Sequence, residues 1–273
     1  MIADIHTHTT FSPDGRSTTD EMIARAIELG LDCYGISEHF NYDYDRLHLE
    51  IDGREVPPID EKAYFAYTRK RQKQLKGTLN LLVGAEYGFD HNSRSQERYI
   101  ETTEKYRPDF IINSVHTCLG MDCYFPHYCN GKTKEYAYNA YLYRVLESLE
   151  AAYPYDIVAH IGYCSRNATY PDPKLRYEDF ADVLDCILKG IIRRGKILEV
   201  NTSSKTAGSP FIPDTDILAR YFELGGRDVS FASDAHDTAR IAEKYALTCG
   251  ALKKIGFTHF TVPCRGKRNY IPL

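Results

Sequence analysis

The 273-residue chain is 43% hydrophobic and 26% charged, the balance of an ordinary globular protein with ample material for a core. Its net charge of −4 gives no electrostatic case for a dedicated nucleic-acid or membrane binder, and no apolar stretch approaches the roughly 20 residues needed to span a bilayer. The eight cysteines are scattered without a C-x-x-C pair, and strand-like residues begin at Ile2 with no basic-then-apolar leader, so the expectation is a cytoplasmic protein with reduced thiols.

In chain order, short apolar and often β-branched runs predict strands over residues 2–5, 33–36, 79–85, 110–115, 157–159, 197–200, 229–232 and 257–262. Helices are predicted between them over 19–29, 61–76, 95–106, 134–152, 177–194, 216–224 and 239–255. The first helix follows Ser17-Thr18-Thr19-Asp20, a capping-box-like start, and Gly30 sits where it should stop. Leu224-Gly225-Gly226 is a second stop signal. Strand-then-helix repetition through the whole length argues for parallel strands joined by crossover helices. With seven or eight units and no Pro/Gly/Ser-rich divide, the reading is one domain over 1–273, closed as a distorted (β/α)7, TIM-like barrel. Two long connections, 40–60 and 117–133, are candidates for lids or binding loops. The basic run Arg69-Lys70-Arg71-Gln72-Lys73-Gln74-Leu75-Lys76 reads as a solvated helix face, and the tyrosine-rich stretch 136–143 as a packing face.

The chemistry lies just after the strands. His6, His8 and Asp14 follow the first; Glu38 and His39 follow the second. Glu86, His116 and His160 close the next three, and Asp234 and His236 follow the strand at 229–232. In a β/α barrel those ends converge on one face, so residues distant in sequence share one pocket. Residues i and i+2 of an extended strand point the same way, which lets His6 and His8, or Asp234 and His236, address one ion. Imidazole and carboxylate together suit Zn, Mn or Fe. His6, His8, Asp14, His39, Glu86, His116, His160, Asp234 and His236 are too many for one ion and fit two or three, with Glu86 and Asp234 best able to bridge. Any one buried histidine is more often a hydrogen-bonded core residue than a ligand. The repetition at successive strand ends is what favours ligation. Asp14 also fits an ordinary Pro-Asp-Gly turn, and Glu38 fits either a partner that orients an imidazole or a satisfied acid. His48, His91, His127 and His259 have no matching position.

These segments resemble the PHP (polymerase and histidinol phosphatase) superfamily: His6-Thr7-His8 with Asp14, Ser37-Glu38-His39, Gly84-Ala85-Glu86, Ser114-Val115-His116, Ala159-His160 and Ser233-Asp234-Ala235-His236. Within it the chain is most similar to the monofunctional histidinol-phosphate phosphatases, through Ser12-Pro13-Asp14-Gly15, Ala26-Ile27-Glu28-Leu29-Gly30-Leu31 and Glu199-Val200-Asn201-Thr202. The resemblance implies a trinuclear centre of zinc, manganese or iron. His6, His8, Glu86 and Asp234 would serve one ion, Glu86, His116 and His160 a second, and Asp14, His39 and His236 a third.

It further implies hydrolysis of a phosphate monoester in histidine biosynthesis, L-histidinol phosphate to L-histidinol and phosphate, by in-line attack of a hydroxide held between metals. The catalytic set would be Asp14, His39, Arg166, Asp234 and His236. The subfamily commonly carries an arginine shortly after the Glu-x-Asn-Thr segment, where this chain reads Ser203-Ser204-Lys205-Thr206, a point charge instead of a bidentate fork. Arg166, six residues after His160, is the stronger candidate for the phosphate and Lys205 the second. Asp43, Asp45 and Glu50 are candidates to meet the substrate's ammonium. Lys205 and the 22 tyrosines keep a nucleotide or another small phosphate ester open as the alternative substrate. A structural metal module is disfavoured by the absence of a basic duplex-binding surface, and ester or amide hydrolysis away from phosphorus is the remaining reading.

Overall fold

The computed structural model describes residues 1–47, 49–51, 54–206 and 208–273; the Asp45 side chain and His48 lie outside the described residues. Two parallel sheets make up the wall. One runs in the order Ala3–Asp4, Cys33–Ile36, Asn80–Val83; the other runs Val229–Ala232, Ile197–Asn201, Ile157–Val158, Ile111–Ser114, Ala85–Gly88, His39–Phe40. They are halves of one barrel, because the segment 80–88 belongs to both and changes neighbours at Gly84. Below that point it pairs with Cys33–Ile36, and above it with Ile111–Ser114 and His39–Phe40. A Cβ at Gly84 would stand 2.3 Å from the Phe110 ring, so the bend is a place where a side chain packs directly on backbone.

The first and last strands meet through a parallel bridge between Thr7 and Ala235, with the Asp234 amide donating to His6 O at 2.9 Å and the His8 amide to Ala235 O at 2.8 Å. Seven strands therefore close on themselves, as the (β/α)7 expectation had it. Among the described residues the eighth predicted strand, 257–262, is not part of the wall. His259–Cys264 turns back on Lys267–Pro272 as an antiparallel hairpin.

The helices sit outside, each burying the face its apolar spacing prescribes. Thr18 caps Thr19–Glu28 with the reciprocal capping box, and Gly30 follows in the left-handed conformation. Tyr138, Tyr141 and Leu142 of Lys134–Ser148 are buried while Tyr136 and Tyr143 face solvent, so the tyrosine run is a packing face. Three helix boundaries differ from expectation by four residues or more, the first being the helix predicted to run to 152, which ends at Ser148. The helix predicted from 177 begins at Ala181, after Phe180. The one predicted from 239 begins at Tyr245, because Ala242 and Lys244 take positive φ and the Ala242 amide donates to Asp4 Oδ2 at 2.9 Å. The connection 117–133 carries a short hairpin, Thr117–Cys118 with Met121–Asp122, and a single turn over Pro126–Cys129.

Candidate metal centre

Asp14, His39, Glu86, His116, His160, Asp234 and His236 line one cavity of about 540 Å³, with His6 and His8 buried behind it. Glu86 stands at its floor, fully buried, and the imidazoles gather around its two oxygens. Oε1 lies 3.1 Å from His116 Nε2, 3.1 Å from His160 Nε2 and 3.3 Å from His6 Nε2. Oε2 lies 3.5 Å from His8 Nε2 and 2.5 Å from His39 Nδ1. Asp234 Oδ1 is 3.5 Å from His8 Nε2 and 3.9 Å from His6 Nε2. Asp14 completes the ring at the rim, 3.0 Å from His236 Nε2 and 3.6 Å from His39 Nε2. All nine predicted residues are thus brought together around one cavity. His160 and Asp234 adopt left-handed backbone, at φ 23 and 52, a strain that a fold keeps only where surrounding contacts over-determine it.

The donor set fits divalent ions of the zinc, manganese and iron group. His6 Nε2, His8 Nε2, His39 Nδ1 and Glu86 Oε2 are buried and make no hydrogen bond in line, although a Glu86 oxygen stands within 3.5 Å of each nitrogen. Buried acceptors left this way are costly unless their lone pairs converge on a cation. Three such groupings stand out: His6, His8 and Glu86; His39, Glu86 and His116; and His8, His39 and His236. Burial alone would push the Glu86 carboxyl up, but His6, His116 and His39 hold it well below the usual range. Asp234 behaves alike, with Arg166 the main opposing charge.

A second layer orients these groups, and most of it was missed at the sequence level. Glu199 Oε1 meets His6 Nδ1 at 2.6 Å, while its Oε2 accepts from the His160 amide at 2.9 Å. Such a carboxylate partner fixes the tautomer that leaves Nε2 free. Its signal was a lone glutamate in the otherwise apolar run 197–200. Ser203 Oγ donates to Asp234 Oδ2 at 3.1 Å, and Ser114 Oγ donates to Glu86 Oε1 at 2.6 Å. Glu38 faces no imidazole directly. It accepts from Thr9 Oγ1 at 2.7 Å and Ser12 Oγ at 2.5 Å, and Ser12 Oγ in turn lies 3.4 Å from His8 Nδ1; burial pushes its carboxyl up to about 7.

Arg166 is buried beside the centre, with Nη1 donating to Asp234 Oδ2 at 3.0 Å and its guanidinium carbon 5.4 and 5.5 Å from the Tyr124 and Tyr163 ring centres. Its Nε is buried without a partner. Lys205 is exposed at the cavity mouth, donating to Tyr124 Oη at 3.0 Å and Asn167 Oδ1 at 3.3 Å. The loop acids are placed differently from expectation. Asp43 is buried outside the cavity, accepting from Thr117 Oγ1 at 2.5 Å, and Glu50 is exposed. Beyond the residues around Glu86, the acids that line the cavity are Asp122, Asp237 and Glu243; Asp122 takes Tyr44 Oη at 2.5 Å and the Tyr124 amide at 2.8 Å. His91 and His127 are exposed and His259 lies on the hairpin, all away from the centre.

A closed parallel β/α barrel with buried imidazoles and carboxylates at its strand ends defines a protein of the metal-dependent barrel class. Residues 4–203 match the PHP domain, and the chain belongs to that family. It is 31% identical over 239 residues to a Clostridium acetobutylicum protein named "Probable histidinol-phosphatase", covering 86% of this chain and 87% of the relative. A histidinol-phosphatase of Lactococcus lactis is 24% identical over 255 residues, with 93% and 91% covered. The crystal structure of histidinol phosphate phosphatase from Lactococcus lactis, complexed with zinc, L-histidinol and phosphate, superposes with a TM-score of 0.80 over 98% of each chain at 23% identity.

Proposed function

We propose that this chain hydrolyses L-histidinol phosphate to L-histidinol and phosphate, a step of histidine biosynthesis, at a centre of two or three divalent ions. The observation that carries the reading is Glu86, ringed by the imidazoles of His6, His8, His39, His116 and His160, with His6 Nε2, His8 Nε2 and His39 Nδ1 buried and unpaired, beside an arginine whose Nε is also unpaired. His6, His8, Glu86 and Asp234 would hold one ion, Glu86, His116 and His160 a second, and Asp14, His39 and His236 a third, drawn from zinc, manganese and iron. Bound there, the ions lower the pKa of a water toward neutrality and offset charge on the phosphoryl oxygens.

The chain's own residues supply the rest. Arg166 keeps Nη1 on Asp234 and turns Nε to the phosphate, which orients that anion and stabilises charge as it redistributes. Lys205 adds a point charge at the mouth. Asp122, set among Tyr44, Tyr124, Phe125 and Tyr163, offers a carboxylate and aromatic walls to a cationic leaving group with a flat ring, which histidinol is. This replaces the loop acids as the group that meets the substrate's ammonium.

The test is phosphate release by the zinc- or manganese-loaded protein from histidinol phosphate, a panel of nucleotides and a generic monoester. The expected outcome is a kcat/KM for histidinol phosphate well above all others. A value no better than for the generic monoester sinks the assignment of substrate, and a preference for a nucleotide substitutes that ester.

A further inference from the structure

The ring nitrogens that turn away from Glu86 differ in what they meet. His6 Nδ1 has the Glu199 carboxylate at 2.6 Å, whereas His116 Nδ1 has the neutral amide oxygen of Asn41 at 3.1 Å. An amide oxygen only accepts, so this contact places the proton of His116 on Nδ1 and leaves the Nε2 lone pair toward Glu86 Oε1, 3.1 Å away. Asn41 directly follows the strand His39–Phe40 and lines the cavity.

Its seat exists because residue 88 is glycine. Gly88 lies two residues beyond Glu86 on the strand Ala85–Gly88. Its φ is ordinary, so backbone freedom does not explain it. Space does: a Cβ there would stand 2.3 Å from Asn41 Oδ1 and 3.4 Å from His116 Nδ1. The nearest obstacle is the far end of a flexible side chain, so an alanine would fit by pushing Asn41 off the imidazole.

We propose that Asn41, in the space Gly88 leaves, is the positioning residue that presents His116 Nε2 as a metal ligand. This rests on the reading of Glu86, His116 and His160 as one ion position. A carboxylate hydrogen-bonded to a ligating imidazole makes it a stronger ligand than an amide does, so the proposal also gives a direction for improvement.

The test uses the full chain, zinc alone and a chromophoric chelator in competition, with circular dichroism to follow the fold. Asn41→Leu and Gly88→Ala each weaken one zinc per chain about 10- to 100-fold and leave the others unchanged. Asn41→Asp returns that zinc to wild-type affinity or tighter, which a merely space-filling role would not do. Wild-type affinities in both Asn41→Leu and Gly88→Ala, or an Asn41→Asp variant no better than Asn41→Leu, overturn the proposal while the centre itself stands. A wild-type chain that takes up no zinc overturns the reading of the centre, and the role of Asn41 with it.

Discussion

In the proposed reading Arg166 serves two anions, Asp234 and the substrate phosphate, and the division between its nitrogens says what its removal does. Nη1 is spent on Asp234 Oδ2, but that oxygen also accepts from Ser203 Oγ at 3.1 Å, and Asn201 Nδ2 lies 3.4 Å from it. Oδ1, the oxygen facing His6 and His8, is untouched by Arg166. Arg166→Ala is therefore expected to lower kcat/KM by about 100- to 1000-fold, the scale of losing one preorganised donor, with zinc content unchanged. Elemental analysis beside steady-state kinetics checks it; zinc lost along with activity would make Arg166 a prop for Asp234 instead. Glu199→Gln is expected to act the other way round. The amide can present its nitrogen to His6 Nδ1 and reverse the tautomer, so zinc affinity should drop about 10- to 100-fold before any effect on a saturated enzyme, read by chelator competition. At this scale the residues that gather around Glu86 were legible in the sequence because all but Asp14 sit at or just after the end of an apolar run. Glu199, Asn41 and Asp122 were not, because their importance depends on which loop faces which ring nitrogen or cavity wall, and residue spacing does not encode that.

Asp109 shows how elements are tied on the side of the barrel away from the chemistry. Its carboxylate accepts from Arg69 Nη1 at 2.6 Å and Gln72 Nε2 at 2.7 Å on one helix, from the Val83 amide at 2.9 Å in the wall, and from Arg265 Nε at 2.7 Å in the C-terminal hairpin. Burial pushes this carboxyl up, but the bonds from Arg69, Val83 and Gln72 outweigh it and hold it below the usual range. A depressed carboxylate contributes stability above the unfolded-state pKa, near 3.9 for aspartate, and that contribution is lost as pH falls through the lower folded-state value. Asp109→Asn should cost about 2 kcal/mol at neutral pH, since it removes the charge from a buried acceptor that Arg69, Gln72 and the Val83 amide share, and the gap to wild type should narrow below about pH 4. Urea melts at pH 7 and pH 3.5 measure both; an equal gap at the two values would remove the charge from the account. Element by element, the helices with caps and stop glycines were legible at both ends. The late start at Tyr245 was not, because Asp4, 238 residues away, holds the Ala242 amide outside the helix. Nor was the hairpin at 259–272, whose first strand has the apolar content of a barrel strand but meets the wall from outside.

Over the whole molecule, the proposed ions would close the barrel as well as supply chemistry. Their ligands come from six of the seven strand ends, including the first and last, which otherwise meet through a short bridge at Thr7 and Ala235. The sixth, Ile197–Asn201, contributes through Glu199 on His6. Ligands scattered this way form a site only in the folded chain, so binding should stabilise the fold by mass action. At a free zinc concentration 100 times its dissociation constant, each position adds about 2.7 kcal/mol, or roughly 5 °C or more in Tm for a chain of this size. Stripping the protein with a chelator should lower Tm by that amount per position emptied, and adding zinc should restore it. His6→Ala and Asp234→Ala should abolish turnover and flatten the rise, while each metal-free variant still melts in one cooperative step. A Tm indifferent to chelator in the wild type, or turnover retained in either variant, would remove the ions from both roles.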